Sequence, residues 1–112
     1  MTKQEMIAFC LTYPGAYEDY PFDDEWAVMR HNSNRKAFAF VYERGGVPCV
    51  NLKCDPMHAD FLRSVFREVQ PAYHMNKVHW NTVLLDGALP EQEVFAMVEH
   101  SFRLTELHNR KV

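Results

Sequence analysis

Apolar positions recur with the period of a helix in some segments of the chain and with the period of a strand in others. The places where the period changes predict eight elements of secondary structure. The sequence Thr2-Lys3-Gln4-Glu5 has the form of a capping box, and apolar residues follow it at the spacing of a helix. Tyr13-Pro14-Gly15 ends this helix. Residues 16–25 are polar and acidic with Pro21 inside, so an ordered loop is predicted there, held to the body by its aromatic side chains.

Three segments with strand periodicity come next, at Trp26–Arg30, Lys36–Tyr42 and Val47–Lys53. A polar connection joins the first two segments, and a glycine turn joins the last two. Short connections of this kind make hairpins, so the strands are expected to be antiparallel.

A second helix is predicted from Asp55-Pro56, an N-cap residue followed by proline at the first helical position. Its apolar stripe is expected to face the core and consists of Met57, Phe61, Leu62, Val65 and Phe66. The charged residues between them, Asp60, Arg63 and Arg67, are expected to lie in solvent.

The remaining residues predict a second strand pair and a closing helix. Val69–Met75 and Val78–Leu85 meet near Asn76-Lys77, and Pro90 with the acids that follow it opens the last helix. The complete order is therefore α-β-β-β-α-β-β-α. The predicted fold class is α+β, a single two-layer domain over residues 1–112 whose five-stranded antiparallel sheet has helices packed on one face.

The composition and charge of the chain argue against some classes of function. No apolar run approaches the ~20 residues that cross a bilayer, so no membrane partner is expected and the predicted location is the cytoplasm. The net charge of −3 argues against indiscriminate binding to nucleic acid. That charge is unevenly distributed, because residues 1–29 carry −5, residues 30–85 carry +4 and residues 86–112 carry −2. The basic block, residues 30–85, contains the segment that is richest in hydrogen-bonding and aromatic side chains.

The stretch Pro71–Asn81 has more hydrogen-bonding and stacking groups than a turn needs. Lysine supplies a point charge, histidine and asparagine supply donors, and the aromatic rings supply stacking faces. The pattern predicts an anion site formed by Tyr73, His74, Asn76, Lys77, His79, Trp80 and Asn81. The alternative is structural: Trp80 lies in the core, the asparagines shape the turn, and the imidazoles bond to backbone carbonyls.

A second set of cations surrounds the first hairpin connection and the end of the third strand. It consists of Arg30, Arg35, Lys36 and Lys53. If both hairpins project from the same edge of the sheet, these residues and Lys77 form two basic wings. Such wings contact the phosphate backbone and supply affinity without sequence information. The alternative is a solvated charged turn.

Strand alternation also predicts which side chains share a face. Phe38, Phe40 and Tyr42 are expected on one face of the sheet. Cys49 and Cys54 are expected on opposite faces, and their separation is not the short spacing of a zinc knuckle. The sequence therefore predicts no metal site and no cofactor.

Several segments resemble the MmcQ/YjbR family. They are Pro14–Phe22, Lys36–Ala39, Asn51–Pro56, Tyr73–Lys77 and His79–Thr82. The resemblance implies a two-layer α-β3-α-β2-α fold similar to CyaY-like and secretion-chaperone-like domains. It also implies DNA binding of the double-wing type, and it implies no catalytic residue.

The sequence departs from this family in one loop. Residues 23–25 are Asp-Asp-Glu, at a place where many relatives have a glycine after the phenylalanine. The added negative charge opposes phosphate contact near that loop.

Three functional hypotheses follow. The leading one is a non-enzymatic binding module that recognises DNA or another anionic partner through the 73–81 hairpin and neighbouring basic side chains. The second is a protein-interaction adaptor resembling a secretion chaperone, which uses a sheet face or an edge strand. Both a monomer and a homodimer are compatible with the sequence.

The third hypothesis is a small-molecule-binding protein or a hydrolase at Tyr73, His74, His79 and Asn81. The predicted helix N-terminus beside Cys54 favours a depressed pKa of its thiol, which would make it a nucleophile. A small, inert core residue is the favoured interpretation of this cysteine.

Overall fold

The computed structural model describes residues 1–106, in which one antiparallel sheet is covered on one face by helices. The helices are α1 (Lys3–Cys10), α2 (Pro56–Val65) and α3 (Glu91–Thr105). The strands are β1 (Ala16–Asp19), β2 (Ala27–His31), β3 (Ala37–Arg44), β4 (Val47–Lys53), β5 (Val69–Pro71) and β6 (Trp80–Leu84). Across the sheet their order is β1-β2-β3-β4-β6-β5. The predicted α+β class and antiparallel sheet are confirmed.

The sheet has six strands rather than the predicted five. The additional strand is β1, which lies within the segment expected to be a loop and pairs with β2 from Ala16 opposite His31 to Asp19 opposite Val28. β1 is an edge strand with no fully buried side chain. An edge strand of this kind lacks the alternation of apolar and polar residues that reveals a half-buried strand.

The predicted starts of α1 and α2 are confirmed with their capping contacts. The Thr2 hydroxyl accepts from the Glu5 N–H at 3.0 Å, and the Glu5 carboxylate accepts from the Thr2 N–H at 2.8 Å, which completes the capping box. At α2, the Asp55 carboxylate accepts from the His58 N–H at 3.3 Å, and Pro56 occupies the first turn.

Phe38 does not follow the predicted alternation. The register between β2 and β3 shifts between Met29 and Arg30, which marks a β-bulge. The bulge turns Phe38 toward the helices, where it is fully buried under α3, while Phe40 and Tyr42 remain on the opposite face. The prediction that these three rings share a face is therefore wrong for Phe38.

The apolar stripe of α2 is also only partly as predicted. Ala59 and Leu62 face the core, whereas Met57, Phe61 and Val65 are 83%, 57% and 52% exposed. The sequence pattern could not show this, because a helix that packs on the last strands of a sheet is covered along a narrow line only.

The main core lies between the sheet and the three helices. A row of small and branched residues runs across the helix side of the sheet: Ala27, Val41, Val50, Val83 and Val69. A second row faces the other way: Val28, Phe40, Asn51, Thr82 and Gln70. Within residues 1–106, no helix has the length and apolar character that crossing a bilayer requires.

His31 lies buried in this core and is expected to make stability depend on pH. Its ring lies 4.3 Å from the Phe102 ring, and its Nε2 lies 2.7 Å from Thr105 Oγ1. Burial lowers the pKa of His31 below the ordinary 6.5, although the Glu106 carboxylate opposes the shift. Burial and the nearby His58 lower the pKa of His100 in the same direction. The unfolded chain therefore binds these protons more readily than the folded protein does.

We expect the free energy of unfolding to decrease as the pH falls through about 6.5. Chemical denaturation at about pH 7.5 and about pH 5.5 measures this decrease. The variants His31→Gln and His100→Gln should each reduce the difference between the two pH values. If both variants show the full difference in unfolding free energy between the two pH values, the pH dependence comes from other titratable groups.

Candidate functional site

β5 and β6 pair as the sequence predicts, but their connection is longer than the predicted turn, and residues 72–79 fold back over the second face of the sheet. The strand expected at 69–75 ends at Pro71. The Tyr73 N–H then donates to Thr82 Oγ1 at 2.8 Å, and the Tyr73 carbonyl accepts from Asn51 Nδ2 at 2.9 Å. His74 has a φ of 62°, a left-handed conformation that turns the chain. The main chain at Tyr73 is therefore attached to the sheet through side chains of the strands and not through a ladder of backbone hydrogen bonds.

Asn51 is the centre of this attachment and is fully buried. Its Oδ1 accepts from the Tyr42 hydroxyl at 2.7 Å and from Thr82 Oγ1 at 2.6 Å. Burial raises the pKa of Tyr42 to about 12, so its hydroxyl keeps the proton that it donates. Every buried side-chain nitrogen or oxygen in residues 1–106 has a hydrogen-bond partner, so the network contains no unpaired polar atom.

Arg63 holds the other end of the connection from the helix side of the sheet. Its Nε donates to Asn81 Oδ1 at 2.7 Å, and its Nη2 donates to the Trp80 carbonyl at 3.2 Å and to the Lys77 carbonyl. The expectation that Arg63 lies in solvent is therefore wrong. A guanidinium group carries five donors in one plane, which suits it to bind several oxygens at once.

Two residues of the predicted anion site have internal partners. Lys77 Nζ donates to the Ala72 carbonyl at 2.8 Å. Asn76 Oδ1 accepts from the Val78 N–H at 2.9 Å and from the His79 N–H at 3.1 Å. Both side chains shape the connection, which is the role that the structural alternative gives to the asparagine.

The remaining predicted residues of this segment lie on different sides of the sheet. Trp80 packs edge-on against Phe40 on the second face, at 5.5 Å and 75°. Asn81 is buried beside Arg63 on the helix side. His79 is exposed, and its carbonyl accepts from a backbone N–H.

The predicted cations of the first hairpin lie at the same end of the sheet as the 72–79 connection. The start of β3 pairs with the end of β4 at this end, and Lys53 at the end of β4 pairs with Trp80 at the start of β6. Arg30 Nε forms an ion pair with Asp19 at 2.8 Å. Arg35 and Lys36 are exposed. One predicted cation is thus already paired, and the others face solvent or lie partly buried.

An aromatic cleft with a volume of about 440 Å³ opens on the second face, beside the connection. Its lining comes from three parts of the chain and consists of Phe22, Asp23, Trp26, Phe40, His74 and Met75. Only His74 belongs to the predicted set. We refer to these six residues as the aromatic cleft.

Two rings form the walls of the aromatic cleft. The Trp26 indole stacks on Tyr42, with centroids 3.8 Å apart and planes inclined by 2°. The Phe40 ring lies 6.5 Å from the indole at 66°, so that the two planes converge. The carboxylate of Asp23 accepts from the Glu25 N–H at 2.9 Å and from the Trp26 N–H at 3.0 Å, which fixes it at the start of the indole-bearing segment.

A second cavity of about 450 Å³ lies on the helix side, between α2 and α3. Leu62 and Met97 are among the apolar residues of its wall. The His58 and His100 rings, 5.4 Å apart, also line it. We refer to this cavity as the interhelical groove.

The thiols are unsuited to nucleophilic attack at neutral pH. Burial, followed by the nearby Asp55 carboxylate, raises the pKa of Cys54 to about 11, which is opposite to the depression that the nucleophile interpretation needs and agrees with the favoured one, an inert core residue. Burial raises the pKa of Cys10 to about 12 and also raises that of Cys49. In residues 1–106, no group of three or more His, Cys, Asp or Glu side chains has a metal-binding arrangement.

The sequence is similar to a known family and to proteins of two bacteria. A family model described as YjbR matches residues 11–104. The chain is 35% identical over 103 residues to the uncharacterized protein YjbR of Escherichia coli K12, a match that covers 92% of this chain and 86% of that protein. It is 31% identical over 117 residues to the uncharacterized protein YyaQ of Bacillus subtilis 168, covering 94% of this chain and 98% of that one.

Two solved structures share the fold. A crystal structure of a Pseudomonas syringae protein superimposes with a TM-score of 0.84 at 34% identity and covers 95% of this chain and 100% of that chain. A crystal structure of a Deinococcus radiodurans protein superimposes with a TM-score of 0.83 at 31% identity and covers 92% of this chain and 77% of that chain.

The attachment of the connection can be tested with Thr82→Val, which keeps the shape of the side chain and removes its hydroxyl. The change leaves the Tyr73 N–H without its acceptor and removes one donor to Asn51. We expect the free energy of unfolding to fall by about 1 to 3 kcal/mol. Hydrogen exchange at the Tyr73 amide should accelerate by about tenfold or more, equivalent to about 1.4 kcal/mol.

Ser64→Ala is the matched control, because it removes an exposed hydroxyl that donates to the Phe61 carbonyl within its own helix. Its effect on stability should stay within about 0.5 kcal/mol. If Thr82→Val lowers global stability but leaves exchange at Tyr73 unchanged, the hydroxyl does not hold the connection.

Proposed function

Since the chain belongs to the YjbR family, as its resemblance predicted, we propose that it is a non-enzymatic binding module whose ligand site is the aromatic cleft. The observation that carries the proposal is the cleft itself, about 440 Å³ of space lined by aromatic and apolar side chains with one carboxylate. Small-molecule sites have this volume and this combination of apolar walls with few polar groups.

The attachment of the 72–79 connection supports the proposal. His74 and Met75 line the aromatic cleft, and they directly follow Tyr73, whose N–H and carbonyl are both bonded to the sheet. A site whose walls are held in place before binding loses little conformational entropy when the ligand arrives. The cleft therefore has the preorganisation that a binding site needs.

Binding is favoured over catalysis by the state of the candidate nucleophiles. The raised pKa values of Cys10 and Cys54 keep both thiols protonated at neutral pH, and a thiol attacks as its thiolate. Asn81 lies on the helix side of the sheet, whereas Tyr73 and His74 lie over the second face. This separation weakens the hydrolase hypothesis, which needs these side chains to converge.

Nucleic acid is the second candidate ligand. Its support is the common end of the sheet shared by the 72–79 connection, Arg35, Lys36 and Lys53. Against it, the Lys77 ammonium already donates to the Ala72 carbonyl. So few available cations predict weak binding, and the salt dependence of that binding scales with their number.

The protein-adaptor hypothesis draws support from α2 rather than from the sheet. Its exposed side chains Met57, Phe61 and Val65 recur every four residues and form one apolar stripe. An exposed apolar stripe of this kind is typical of a contact surface for a protein partner or a second copy of the chain.

The proposal is tested by NMR titration of the ¹⁵N-labelled protein with three phenyl compounds of similar size: benzyl alcohol, phenylacetate and benzyltrimethylammonium. We expect at least one of them to shift the signals of the aromatic cleft, including the Trp26 indole N–H. Phe22 is 68% exposed, so Phe22→Ala should leave the fold intact and weaken binding by about threefold or more.

Phe61→Ala is the matched control, since it removes an exposed ring on α2 outside the cleft. If none of the three compounds shifts the cleft signals, the proposed site is wrong. A parallel titration with single-stranded oligothymidylate at about 50 and about 200 mM salt tests the second candidate. Shifts confined to Arg35, Lys36 and the 72–79 connection that vanish at the higher salt would favour nucleic acid.

A further inference from the structure

We propose that the aromatic cleft binds a small organic cation through a quaternary or otherwise alkylated ammonium group. This inference rests on the proposed function and assigns the chemical class of the ligand. It differs from the anionic ligand that the sequence of residues 71–81 predicts. The reasons are the arrangement of the rings, the sign of the local charge and the shortage of hydrogen-bond acceptors in the cleft.

The rings are arranged as a cation needs them. Trp26 and Phe40 meet at 66° with centroids 6.5 Å apart, and the His74 ring lies 6.4 Å from the indole at 44°. A positive group between such planes is attracted by the negative faces of the rings, and indole gives the strongest attraction. A neighbouring ring outside the cleft already holds a cation in this way: the Arg44 guanidinium carbon lies 3.8 Å from the centroid of Tyr73, which lies 6.4 Å from the indole.

The acidic residues beside the cleft outnumber the nearby cations, since Lys3 Nζ donates to the Glu25 carbonyl at 2.5 Å and Arg44 lies over the Tyr73 ring. Asp23 is the charged group that lines the cleft, and Asp24 and Glu25 follow it in an exposed loop. These carboxylates belong to the N-terminal block of the chain, residues 1–29, with its net charge of −5. A carboxylate beside converging aromatic planes attracts an ammonium group and repels a phosphate or carboxylate ligand.

The shortage of acceptors separates an alkylated ammonium group from other cations. Asp23 Oδ1 already accepts from the Glu25 and Trp26 N–H groups, so Oδ2 is the oxygen of this carboxylate that is left for a ligand, too few acceptors for three donors. A primary ammonium group carries three donors, and losing water without replacing those bonds is costly. An alkylated ammonium group has few or no N–H donors, and its methyl groups fill apolar space beside Phe22 and Met75. The cleft therefore suits a cation that needs contact and charge more than hydrogen bonds.

The test compares choline with 3,3-dimethylbutan-1-ol, its neutral isostere, in which carbon replaces nitrogen. The chain has two tryptophans, so the variant Trp80→Phe leaves Trp26 as the only indole reporter. We expect choline to change the Trp26 fluorescence in a saturable way. The neutral isostere should bind about tenfold more weakly, because it lacks the cation–π and carboxylate attractions.

Asp23→Asn isolates the contribution of charge, since the amide oxygen still accepts from the two N–H groups that hold the loop. We expect it to weaken choline binding by about threefold to tenfold and to leave binding of the isostere unchanged. Asp24→Asn is the matched control: it removes the adjacent carboxylate, which does not line the cleft, and should have a smaller effect.

The outcomes separate this inference from the proposed function. If the isostere binds as tightly as choline, or if Asp23→Asn has no effect, the ligand class is wrong while the cleft remains a binding site. If neither compound binds and the three phenyl compounds also leave the cleft signals unshifted, both proposals are wrong. Titration of the unsubstituted protein by NMR keeps the test decisive if Trp80→Phe disturbs packing against Phe40.

Discussion

The buried amide of Asn51 determines which segment of the chain covers the second face of this sheet. An asparagine at the centre of a β-sheet is unfavourable unless each of its polar atoms finds a partner. The amide is satisfied by Tyr42 and Thr82 from neighbouring strands and by the carbonyl of Tyr73 from the connection. The sheet thus carries a polar centre that is complete only when the connection lies over it. The aromatic cleft depends on this closure, because His74 follows the residue that completes the network.

Arg63 gives the same connection a second anchor from the opposite layer. It comes from α2 and reaches the carbonyls of Lys77 and Trp80 at the point where the chain enters β6. A segment held at one end by an uncharged network and at the other by a guanidinium group has little freedom between its anchors. Residues that the sequence suggests as ligand-binding groups, such as Lys77, serve this internal attachment, and the aromatic rings beside them remain accessible.

The sequence predicts the fold well where the signal is local. The capping box at Thr2, the N-cap at Asp55 and the glycine turn between β3 and β4 each depend on a few adjacent residues. It predicts less where the outcome depends on pairing across the sheet, as at the bulge that redirects Phe38. The aromatic cleft could not be predicted, because its lining comes from a loop, a strand and a distant connection, and no periodicity joins them.

The left-handed backbone at His74 has a consequence for how the cleft changes over evolution. A side chain other than glycine in this conformation costs roughly 1 kcal/mol, which the anchored Tyr73 offsets. The main-chain geometry therefore restricts which residues can occupy this position. A replacement that tolerates a positive φ, as asparagine and glycine do, removes the ring and keeps the course of the main chain. Selection can in this way vary the chemistry of one wall while the architecture around it stays constant.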